Sequence, residues 1–96
     1  MSDLDQFIAN CRRIEGRINK FRESIEASGD SEALWNLKGE SARIWIEIAD
    51  INSSAVKVGR TVEIVRLRQK LLRIENLCGA LILTLEGDAQ DTTVIG

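Results

Sequence analysis

The chain has 96 residues, 44% of them apolar and 29% charged, with seven glycines and no proline. That length suits a single domain whose core is small enough that a partner surface is a common source of further burial. The composition excludes a disordered chain, and the lack of proline favours long unbroken helices. A formal charge of -2 excludes a uniformly basic nucleic-acid binder, and the absence of histidine removes the commonest general base and metal ligand.

Ser2 or Asp3 offers a side-chain cap for a first helix. Leu4, Phe7, Cys11, Ile14, Ile18, Phe21 and Ile25 then recur at alternating helical spacings, which predicts a helix over about 3–27 that buries one stripe. Its other faces are charged, so this helix covers something else. Ser28, Gly29, Asp30 and Ser31 read as a stop and a new cap, with Gly29 free to turn left-handed. A connection this short makes the first two helices antiparallel neighbours.

The second helix, over about 31–52, carries Leu34, Leu37, Ile44, Ile48 and Ile51 on its seam, with Ser41 as the one polar interruption. Trp35, Ala42, Trp45, Ile46 and Ala49 widen that face well beyond one stripe. Asn36, Glu40, Arg43, Glu47 and Asp50 keep a narrow polar strip. Asn52, Ser53 and Ser54 should loosen the helix, because short polar side chains compete for backbone hydrogen bonds. Val56, Val58, Val62 and Ile64 alternate around Gly59 and Arg60, which leaves a short hairpin over residues 55–65 as an alternative to a helix start.

From Ile64 a heptad runs through Leu67, Leu71, Ile74, Cys78, Leu81 and Leu85, predicting a third helix over about 60–86. Val58, Val62, Val65, Leu72, Gly79 and Leu83 form a second stripe roughly 150° away around the helix. Glu63, Arg66, Lys70 and Arg73 hold the polar strip between. Gly87 ends the pattern, and 88–96 reads as a flexible tail.

The fold class is therefore all-α: an antiparallel three-helix bundle, or helical hairpin plus covering helix, forming one domain over 1–87. Two helices with more apolar surface than one core needs predict assembly into a larger bundle as a homo-oligomer, a dimer being favoured. The expected interface residues are Trp35, Ala42, Trp45, Ile46, Ala49, Val58, Val62, Val65 and Leu72.

No catalytic inventory accompanies these faces. Glu40, Glu47 and Asp50 share a helix face, but carboxylate-bridged metal sites in bundles add a Glu-x-x-His pair that this chain cannot supply. Gly16, Gly29, Gly39 and Gly59 begin no phosphate-binding pattern. No enzyme activity, metal or cofactor is expected. The reading that follows is a non-enzymatic protein–protein interaction module: an adaptor, a chaperone-like protein or a small inhibitor or immunity-type protein.

The alternative is a binder of an anionic ligand, nucleic acid or nucleotide. Arg13, Arg17 and Lys20 repeat at helical spacing, as do Arg66, Lys70 and Arg73, and parallel packing of the first and third helices would bring the two stripes together. Against it stands ordinary surface pairing. Residues 30–52 hold five acids and two bases, while 57–86 hold six bases and three acids, so the two segments neutralise each other across a hairpin.

Cys11 and Cys78 both fall on seams, at levels differing by roughly 15 Å along parallel helices, too far for a disulfide. A reduced cytoplasmic protein is expected, with no signal peptide and no membrane span. On that reading the sequon at Asn52, Ser53 and Ser54 is a chance match.

Overall fold

The computed structural model describes the backbone of residues 2–95 and the side chains of residues 2–87. There are three long helices, α1 (Asp3–Ala27), α2 (Ser31–Asp50) and α4 (Thr61–Ile95), and one short helix, α3 (Asn52–Val58), between α2 and α4. No strand occurs among the described residues, so the hairpin alternative at 55–65 is replaced by helix.

The local signals for the helix ends are mostly realised. Ser2 caps α1 by accepting from the Asp5 amide at 3.1 Å, and Asp30 caps α2 by accepting from the Glu32 amide at 3.1 Å. Each satisfies an amide that the first helical turn leaves unpaired. Gly29 is not left-handed as expected, since Gly59 alone among the described residues has a positive φ. Ser28 turns the chain out of α1 by itself, with ψ at 125°, so the turn does not call on the freedom of Gly29.

The second helix ends at Asp50 rather than at 52. Ile51, at φ -93° and ψ 0°, breaks it for one residue, and the chain re-enters helix at once. What holds α3 is tertiary: Ile51 and Ala55 are both buried in the core. The stop that follows is strong. Gly59 adopts φ 71°, its amide bonds to the Val56 carbonyl at 3.2 Å, and the Arg60 amide bonds back to the Ala55 carbonyl at 2.8 Å. This pair of bonds around a left-handed residue is a Schellman cap, and it separates α3 from α4.

Side-chain pairs give the topology. Arg13 meets Glu47 at 3.2 Å and Arg17 meets Glu40 and Glu47, so α1 and α2 are antiparallel. Trp35 donates to Glu86 at 2.8 Å and Trp45 donates to Glu75, so α2 and α4 are antiparallel too. Glu15 pairs with both Arg66 and Lys70, Arg12 lies beside Arg60 and Glu63, and Arg22 beside Arg73, which sets α1 parallel to α4.

The core lies along the axis where the three long helices meet. Phe7, Ile14, Ile18, Phe21 and Ile25 come from α1, Leu34, Ile44 and Ile48 from α2, and Ile64, Leu67, Leu71, Ile74, Cys78 and Ile82 from α4. Ser41, the polar interruption of the α2 seam, is buried and donates to the Lys38 carbonyl at 2.8 Å. Its hydroxyl is thereby satisfied within its own helix.

The α4 seam departs from the heptad in its last turns. Ile82 is buried, whereas the expected Leu81 and Leu85 are only partly so. A straight helix advances by 3.6 residues per turn and drifts about 20° per heptad, so by the third heptad the next residue has rotated into the core. The backbone of α4 also continues to Ile95, past the predicted end at Gly87. The side chains of 88–96, and the expectation of a flexible tail there, lie outside the described residues.

Candidate functional site

Two kinds of surface remain once the core is closed: an apolar face shared by α2 and α4, and charged grooves on either side of α1. Each of α2 and α4 turns one flank to α1 and the other to its neighbour. On α2 the α1 flank carries Glu40 and Glu47, and on α4 it carries Arg66 and Lys70. On the far side Trp35 and Trp45 reach across to Glu86 and Glu75.

The predicted interface residues sort by that division. Trp35, Ala42, Ile46 and Ala49 are exposed on the α2 side of the open face, and Val65 and Leu72 are exposed on the α4 side. At about 100° per residue, Val65 and Leu72 lie just outward of Glu75 and Glu86 and away from Lys70. Leu83, 72% exposed, extends the same stripe. It lay on the second stripe in the sequence but outside the expected interface set. The open face therefore carries exposed apolar side chains from both helices over most of the length of α2.

Three of the expected residues are placed differently. Val58 packs against the core, held there by α3. Val62 is exposed, but it sits about 60° further round α4 than Val65, turned away from α2. Trp45 is half-buried against the core with its indole nitrogen bonded to Glu75, so it forms the floor of the face rather than a projection. Trp35 is the projecting aromatic, 51% exposed, with the Lys38 ammonium 4.5 Å from its ring centre. That contact is a cation–π pair.

The two basic stripes do not meet. Arg13 and Arg17 lie in the α1/α2 groove, paired with Glu40 and Glu47, whereas Arg66 and Lys70 lie in the α1/α4 groove, paired with Glu15 at 3.5 and 3.1 Å. Parallel packing of α1 and α4 is present, but α1 itself stands between the stripes. Hydrogen bonding to Glu40, reinforced by the charge of Glu47, raises the Arg17 guanidinium pKa above its ordinary value. Lys20 and Arg73 have no carboxylate within 4.0 Å among the described residues.

Several concavities accompany these charges. One, of about 980 Å³, lies between the C-terminal half of α1 and the N-terminal half of α2, over Phe21 and Leu37 and beside Lys20 and Arg43. Two others, of about 300 and 400 Å³, follow the α1/α4 groove. Among the described residues no group of three His, Cys, Asp or Glu side chains converges as metal ligands. No described helix is long and apolar enough to cross a membrane.

Both cysteines are free. Cys78 is buried, with its thiol 3.6 Å from the Leu34 carbonyl, to which it donates. Burial pushes both thiols above their usual pKa, for Cys11 with a further upward contribution from Glu63 that Arg66 opposes. Neither is poised as a thiolate nucleophile.

These features define an all-α helical bundle with an uncovered apolar face. Comparison with known protein families, curated proteins and solved structures finds no match.

Proposed function

We propose that this protein is a non-enzymatic protein–protein interaction module that acts as a homodimer through the open face of α2 and α4. The observation that carries this reading is the clustering of Trp35, Ile46, Val65, Leu72 and Leu83, each at least half exposed, on one side of an otherwise conventional helical bundle. Together they present on the order of 500 Å² of mainly apolar surface, which matches the largest patches on ordinary monomers. A standard interface takes about 800 Å² from each partner, and the flanking Ala42, Ala49 and Trp45 bring the face towards that size.

A second copy is a natural occupant because the face is carried by two antiparallel helices. Packed on its two-fold mate, such a pair gives a four-helix core in which each α1 remains on the outside. Such a dimer serves an adaptor, a chaperone-like protein or a small inhibitor equally well. Light scattering over a range of concentrations tests it. The expected mass is twice the 10.7 kDa of the chain, and Ile46→Glu with Leu72→Glu should return it to that of one chain. A single-chain mass at every concentration, with Trp35 equally open to quenching throughout, would overturn the dimer.

A further inference from the structure

Positive charge gathers along one groove that the proposed dimer would leave free. Along the line where α1 and α4 run parallel stand Arg12 and Arg22 from α1, Arg60 at the start of α4, and Arg66, Lys70 and Arg73 from α4. The carboxylates paired with them are Glu15, Glu63 and Glu26. Arg12, Arg60 and Arg73 have no carboxylate within 4.0 Å among the described residues. Two depressions, of about 300 and 400 Å³, lie end to end along this groove, and Arg66 borders both.

We propose that the α1/α4 groove docks an acidic helical segment of a partner protein. Arg60 to Arg73 spans about 20 Å at 1.5 Å per residue, the length of three to four turns of a docked helix. Carboxylates three and four residues apart on that helix would meet successive guanidinium groups, and Arg takes a carboxylate with two parallel hydrogen bonds. The groove already shows this chemistry internally: one carboxylate, Glu15, holds both Arg66 and Lys70. Ile8 and Leu77, both partly exposed, flank it and supply the apolar margin that helix-in-groove docking uses.

The same observations favour a short acidic helix over a phosphate backbone. Six cations against the three carboxylates that pair with them leave the rest of the chain more negative than its formal -2, which repels a polyanion longer than the groove. No aromatic side chain is exposed in the groove, so unpaired bases find no stacking platform.

The probe is a fluorescein-labelled amphipathic peptide of about 18 residues with glutamates along one face, read by anisotropy at about 50 and 200 mM salt. Its controls are a scramble of the same composition and a single-stranded DNA of equal charge. The helical peptide should bind at the lower salt and exceed both controls by about tenfold or more. Arg12→Gln with Arg73→Gln should weaken it about tenfold, while Lys20→Gln with Arg43→Gln, across α1, should leave it unchanged. Absence of peptide binding, equal or tighter binding of DNA or of the scramble, or indifference to the Arg12 and Arg73 changes would each overturn the proposal. Repeating the titration on the Ile46→Glu, Leu72→Glu chain separates this groove from the dimer face.

Discussion

Leu71 and Leu72 are adjacent, chemically identical and both apolar in the pattern of α4, yet the fold treats them oppositely. Leu71 is 0% exposed among core side chains of all three long helices, and Leu72 is 50% exposed on the open face. Truncating Leu71 to alanine removes buried methyl groups and leaves a cavity that close-packed neighbours only partly fill, a loss of about 2 to 5 kcal/mol. Total stability for a domain of this size is of order 10 kcal/mol, so the change is a large fraction of it. The corresponding fall in Tm is about 10 to 25 °C. Leu72→Ala forfeits only its half-buried contact, below about 1 kcal/mol in the isolated chain, and alanine's better helix propensity returns a little of that. Urea titration of both variants at low protein concentration measures the difference directly. Raising the concentration should then increase the cost of Leu72→Ala alone, because the dimer buries that side chain and its loss enters through mass action. Equal costs at low concentration would refute the register of α4, and a concentration-independent Leu72→Ala would count against the dimer face.

Further expectations follow from single residues. Gly59→Ala should destabilise by about 1 kcal/mol because φ 71° strains any side chain, whereas Gly39→Ala, in an exposed helix interior with open space around its Cβ, should stabilise by roughly 0.5 to 1 kcal/mol; opposite shifts in Tm are the check. At pH 8 alkylation should modify Cys11 first and Cys78 only on unfolding, both slower than a free thiol because burial raises each pKa and lowers the thiolate fraction; mass spectrometry of a time course decides, and prompt labelling of Cys78 would contradict its burial. The linked stability term has the same sign: the neutral thiol is the form that the fold favours, so its contribution is complete below the ordinary pKa of 9.0 and declines as pH rises beyond it. In a Trp45→Phe chain, iodide quenching of the remaining Trp35 should fall as protein concentration rises, since Trp35 lies on the face proposed to pair. Unchanged quenching in a chain that light scattering shows to be dimeric would put the interface elsewhere.

Much of this architecture is legible in the sequence because an amphipathic helix states its buried face by spacing alone. The α1 stripe from Phe7 to Ile25 is buried as its periodicity requires, with Cys11 only partly covered, and Ser2 and Asp30 cap the helices that they precede. The second apolar faces of α2 and α4 were equally visible, and most of their residues, Trp45 and Val58 apart, are exposed. Other features depend on what each helix meets. Ile51 and Ala55 hold α3 in place through core contacts, which no local pattern in Asn52 to Val58 announces. Val58 and Val62, alike in sequence, part company because α3 turns one inward and α4 turns the other out. The drift of a straight helix exchanges Leu81 for Ile82 in the core. Above all, helical spacing places Arg17 and Lys70 on polar strips without saying which neighbour each strip faces. Position around a single helix is a property of the sequence, but the side of the bundle on which that face emerges is set by how the helices pack. Tertiary packing gave Arg17 to Glu40 and Lys70 to Glu15, divided one expected cationic surface into two grooves, and left more unpaired arginine on the α1/α4 groove than on the α1/α2 groove.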